Sequence, residues 1–171
     1  MRKSLLTVAA AAGLVATVAL AGPVAAHDDD HGHDKDRGRQ RGRHHQTIRL
    51  SGAQEVPVNV HGNDDRGTVT VKLDDDAGRI CVRFGPLRLT AGEPLPNAAH
   101  IHRGVAGVAG PVVVPLFAAA TAPTSYPTGR ICVAVADPLL HEIDDNPAGF
   151  YVNLHNATHP SGVVRGQLKG T

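Results

Sequence analysis

The sequence predicts an all-β fold, an antiparallel Greek-key-like β-sandwich with one short helix. Three observations lead there. Short runs rich in Val, Ile, Leu and Thr alternate apolar with polar residues, the two-residue period of a half-buried strand. Gly- and Asp-rich turn signals separate these runs. The 171 residues include 19 Gly and 12 Pro but only three Phe, two Tyr and no Trp, so the core must be aliphatic.

Ahead of the fold, Arg2 and Lys3 precede an apolar stretch from Leu5 to Leu20, and small-residue sites end at Ala21 and Ala26. That order reads as a signal peptide over residues 1–26, cleaved before His27. The apolar run is shorter than the about 20 residues of a spanning helix. No stable membrane insertion is therefore expected after cleavage, and the protein is expected to be secreted or otherwise extracytoplasmic. An uncleaved anchor is the competing reading. Residues 27–46 are expected to be a disordered tail. Residues 27–45 hold five His, five Asp, four Arg and one Lys, with almost nothing apolar to offset the entropy of ordering. Such a tract can also chelate metal. The folded domain is placed at 47–171.

Within it, strands are expected at Thr47–Leu50, Thr68–Leu73, Arg79–Phe84, Ala98–His102, Val112–Leu116, Arg130–Val135, Phe150–His155 and Val163–Lys169. Asn63–Gly67 and Asp74–Gly78 read as turns; calcium binding by Asp74, Asp75 and Asp76 is the weaker alternative. Asp137 as N-cap, Pro138 in the first turn and Leu139, Leu140 and Ile143 on one face predict the helix, which Pro147 stops.

Cys81 and Cys132 stand in two copies of Gly-Arg-Ile-Cys-Val, at 78–82 and 129–133. Alternation puts both thiols on the polar outer face. In an oxidising compartment an even count favours a Cys81–Cys132 disulfide over two free thiols. The doubling continues in His102 and His155, then Gly110 and Gly162 before Val-rich runs, at offsets of 51, 53 and 52 residues. It suggests two related β units.

His100-Ile101-His102 is the sharpest chemical signal. On a strand both imidazoles project to one face while Ile101 packs inward. Tyr151, Asn153 and His155 alternate in the same way with Val152 and Leu154, and Arg165 and Gln167 share a face across Gly166. If the repeat is real, His100, His102 and His155 converge, and three neutral imidazoles suit copper or zinc. His159 is a candidate further donor. The competing reading keeps these histidines as hydrogen-bonded surface groups. In that case Tyr151, Asn153, Arg165 and Gln167 form a polar binding patch for a protein or small ligand. The charge is nearly balanced, with ten Lys and Arg against eleven Asp and Glu over 46–171. No basic face or aromatic interleaving supports nucleic-acid binding. No nucleophile elbow, phosphate loop or His-Glu-X-X-His helix is present. Asn156-Ala157-Thr158 is a glycosylation sequon, relevant only in a host that uses it.

Four blocks in order resemble the CHRD (chordin-type) domain family as found in bacterial exported proteins. They are Leu50-Ser51-Gly52-Ala53-Gln54-Glu55-Val56-Pro57, Ala99-His100-Ile101-His102-Arg103-Gly104, Asn146-Pro147 with Phe150-Tyr151-Val152-Asn153-Leu154-His155, and Arg165-Gly166-Gln167-Leu168. The resemblance implies a β-sandwich acting outside the cytoplasm, and it implies no enzyme. The chain departs from the family at Val58, where a second proline is common. It departs again at Val163-Val164, where an acidic residue that would partner Arg165 is common. The expected function is a non-enzymatic exported binding module. The alternatives are a copper- or zinc-binding protein and, last, a redox enzyme resembling copper–zinc superoxide dismutase.

Overall fold

The computed structural model describes residues 45–58, 64–119 and 123–170. Residues 1–44 of the expected leader and tail lie outside these, as does part of the Asn63–Gly67 turn; His45 and Gln46, expected at the end of the disordered 27–46 tail, instead open the first strand, where they pair with Lys72 and Val71. Eight strands form one antiparallel sheet: β1 (His45–Ser51), β2 (Arg66–Asp74), β3 (Arg79–Phe84), β4 (Ala98–Arg103), β5 (Val112–Ala118), β6 (Arg130–Ala134), β7 (Phe150–His155) and β8 (Val164–Gln167). Their order is β5-β4-β7-β8-β1-β2-β3-β6, and the sheet curls until β5 approaches β6. The all-β antiparallel expectation holds, with the two layers made by one nearly closed sheet. Every expected strand is present; β1 starts two residues before Thr47, and β8 ends at Gln167 because Lys169 leaves the ladder.

Alternation decides which side is interior. Ile48, Leu50, Val69, Val71, Ile80, Val82 and Phe84 are buried on one face, and Ile101, Val152 and Leu154 meet them from the other arc. Asp75–Ala77 form a 3-10 turn closed by Gly78 at φ 56°, and Asp74 binds Lys72 and Arg79. The acidic run is therefore a turn with its first carboxylate already neutralised. The helix α1 (Asp137–Asp145) buries Leu140 and Ile143. Its N-cap is Ala136, one residue before the expected Asp137, which falls inside the first turn together with Pro138.

Cys81 pairs directly with Cys132 across β3 and β6, and the two form a disulfide. The bond sits on the outer face as expected, although Cys81 is itself buried. The repeat is real locally. One two-fold axis passes between Cys81 and Cys132, exchanging the two pentapeptides. A second passes between His100 and Asn153, where Ala98 pairs with His155 and His102 with Tyr151. That axis exchanges the hairpin β4–β5 with β7–β8. Carried round the ring it exchanges β3 with β2 and not with β6. The halves therefore share motifs without one common axis.

Candidate metal centre

The second axis builds the site. His100 lies at its centre, and His102 and His155 occupy exchanged positions on either side. The ring centroids are 5.7 Å apart for His100 and His102, 4.9 Å for His100 and His155, and 5.5 Å for His102 and His155. One ligand nitrogen from each ring lies within 4.8 Å of the others. Three nitrogens on one tetrahedral zinc are about 3.3 Å apart, so these rings would have to close inward to share one ion.

The second nitrogens are just as ordered. His102 Nδ1 is 2.9 Å from the carbonyl oxygen of Gly110, and His155 Nδ1 is 3.0 Å from that of Pro160. A carbonyl can only accept, so both rings carry their proton on Nδ1. Their Nε2 lone pairs are left free, buried and without a hydrogen bond among the described residues, as is His100 Nδ1. Fixing the tautomer through a backbone carbonyl is how ligating imidazoles are held. Glycine makes it possible: a Cβ at Gly110 would overlap the Arg103 carbonyl, and one at Gly162 would overlap Glu55 and Asn153. Burial disfavours the imidazolium. It pushes His155 down to about 4, with the neighbouring His100 adding to the shift. Burial likewise lowers His100, helped by His102, and lowers His102, helped by Arg165.

The histidines project to the outer face as expected, but they are not surface groups. His102 is 8% and His155 9% exposed. They line a cleft of about 640 Å³ with Glu55, Tyr151, Asn153 and Arg165. Tyr151 stacks on His102 at 4.9 Å and accepts from the Gly110 N–H. Arg165 lies over the Tyr151 ring at 4.4 Å and donates to the carbonyls of Gln54 and Val108. Gln167 is not part of the cleft; its amide donates to the carbonyls of Gly104 and Phe150 and anchors the loop after β4. His159 is no further donor to the cluster. Its Nε2 is 3.0 Å from Glu93 Oε1. Glu93 also accepts from Thr158 and Asn156, so the sequon asparagine is buried and its amide is engaged.

Glu55 joins the site although no periodicity or spacing in the sequence marks it. It is 3% exposed, 3.4 Å from Asn153 Nδ2, and pushed up to about 8 by burial, against the pull of Arg165. It supplies the acidic neighbour that Val163-Val164 does not. Its signal lay in the Glu55-Val56-Pro57 block, but only the fold brings that loop over β7 and β8.

A curled antiparallel sheet with a disulfide and a three-histidine pocket on its outer face defines an all-β domain with a built polar site. The CHRD domain model matches residues 46–168, and the chain belongs to the CHRD-domain family. No curated protein and no solved structure matches it.

Proposed function

We propose that this CHRD domain is an exported binding module that holds one copper or zinc ion on His100, His102 and His155. The carrying observation is the pair of Nδ1–H to carbonyl hydrogen bonds, which leaves two buried Nε2 atoms without a hydrogen bond in a cluster whose three rings each offer a nitrogen within 4.8 Å of the others. An unpaired buried polar atom is costly, and a cation shared among these nitrogens removes that cost. The cleft beside them leaves room for a fourth, exchangeable ligand. Arg165 opposes a cation by its charge, and Glu55 offsets it when ionised. No catalytic step is assigned. The described residues include no bridging His–Asp set of the kind the superoxide dismutase reading needs. Export is supported by the disulfide, which persists in oxidising compartments. Among the described residues no helix is long and apolar enough to cross a membrane.

The test is titration of demetallated protein with Cu(II) and with Zn(II). Any metal taken up by the tail histidines is common to every variant, so the comparison is between variants. His102→Ala is expected to bind one equivalent less than wild type, and His141→Ala, on the exposed side of α1, the same amount. Equal stoichiometry and affinity in wild type and His102→Ala would refute the site.

A further inference from the structure

The near balance of charge over the domain conceals a segregated surface. Of its ten Lys and Arg, seven lie on the outer face of β1, β2, β3 and β6 and the segment bridged to β2. Arg49, Arg66 and Arg88 line a cleft of about 560 Å³ at one end. Lys72, Arg83 and Arg130 line a smaller one of about 340 Å³ at the other, with Arg79 beside them. Five of the domain's eleven acids lie nearby, against these seven cations. Asp74 already pairs with Lys72 and Arg79, and Asp64 lies beside Arg66. Asp65 is buried but lines the first cleft, and Asp75 and Asp76 sit in the turn between β2 and β3; the rest lie on α1 (Asp137, Glu142, Asp144, Asp145), at Glu93 and at the buried Glu55.

The ladder adds a sharper point. Arg83 is directly opposite Arg130, and Arg66 directly opposite Arg88. Like charges in such register destabilise a sheet, and none of these four arginines forms an ion pair among the described residues. All four are exposed, so nothing in the core requires them. From Arg66 to Lys72 the face extends about 20 Å, and across its four strands about 14 Å. Thr47, Thr68 and Thr70 lie between the cations; the one ring there, among the described residues, is His45 at the edge, and no Phe or Tyr lies among them. That suits a chain of tetrahedral anions and offers no stacking platform for nucleic-acid bases. The strand enters this face at His45, opposite Lys72, and the sequence just before it holds Arg37, Arg39, Arg41 and Arg43.

We propose that the outer face of β1, β2, β3 and β6 binds a linear polyanion of closely spaced phosphate or sulfate groups, independently of the metal site. Each fork-shaped guanidinium matches a tetrahedral oxyanion, and a polymer neutralises both Arg–Arg pairs at once. The probes are long-chain inorganic polyphosphate and heparin, which separate the phosphate source from the sulfate one, with single-stranded DNA and anionic phospholipid vesicles alongside. Affinity is measured from 50 to 200 mM salt on the intact protein. Wild type is expected to bind polyphosphate, heparin or both, with affinity falling steeply with salt. Arg83→Ser/Arg130→Ser is expected to bind about tenfold more weakly and with a shallower salt slope. The exposed Lys169→Ser serves as a control for net charge, and binding should change little. Unchanged binding in the double variant would assign the polyanion to the tail arginines and overturn the proposal. So would an equal loss in Lys169→Ser, or binding only to DNA or only to vesicles. A folded, metal-binding double variant keeps this outcome separate from that of the histidine site.

Discussion

Two ionisable groups in the cleft set opposite pH dependences. Glu55 titrates near 4.5 when unfolded and about 8 when folded, because burial disfavours its anion. Between those values the folded state keeps a proton that the unfolded state has lost. Stability present below pH 4.5 therefore declines as pH rises toward 8. His155 works the other way. Its folded value of about 4 lies below 6.5, so stability present above pH 6.5 declines as pH falls toward 4. Glu55→Gln removes the first dependence alone. Urea unfolding at pH 5 and pH 8 should show wild type losing on the order of a few kcal/mol more than the variant over that interval. Parallel losses in both proteins would mean that Glu55 is ionised in the folded state. The depressed imidazoles also predict that zinc competes well with protons. The equivalent lost in His102→Ala should still be bound by wild type at pH 5.5, where ordinary histidine clusters are protonated. Release of that equivalent with a midpoint near pH 6.5 would contradict the burial argument.

At the level of strands and loops, much of the site was legible. The period of two placed His100 with His102, and Val152 and Leu154 fixed the facing of His155. Alternation also put Cys81 and Cys132 on one face, where the register makes them direct partners. What periodicity cannot show is what covers a face. The loops at 52–58, 105–111 and 156–162 fold over β4, β7 and β8, converting outward histidines into buried ones. They also bring in Glu55 and the carbonyls of Gly110 and Pro160. Gln167 shares a face with Arg165 yet serves the backbone, because the loop after β4 reaches it first. The disulfide joins positions 51 residues apart, for which chain entropy predicts about 4 kcal/mol. Cys81→Ser/Cys132→Ser should unfold at correspondingly lower urea concentration while keeping the metal equivalent, since β3 and β6 contribute nothing to the cleft. Two alkylatable thiols in native, unreduced wild type would remove the basis for this expectation.

For the molecule as a whole, the fold class follows from alternation and turn chemistry, but the closure of one sheet does not. Either two sheets or one curled sheet buries the same alternate residues; which one forms depends on β8 pairing with both β7 and β1. The charge pattern was hidden for a similar reason. Arg49, Arg66, Lys72, Arg79, Arg83 and Arg130 are scattered over four strands and become one face only when the register is known. The curled sheet thus presents two chemistries on its outer side, a neutral imidazole pocket across β4 and β7 and a cationic field across β1, β2, β3 and β6. We propose above all that the imidazole pocket is a metal centre. Crystals of protein loaded with one equivalent of zinc, measured across the zinc absorption edge, test it most directly. An anomalous peak is expected about 2.0–2.1 Å from His102 Nε2, His155 Nε2 and one nitrogen of His100. A peak only at other histidines, with the three imidazoles still apart, would contradict it.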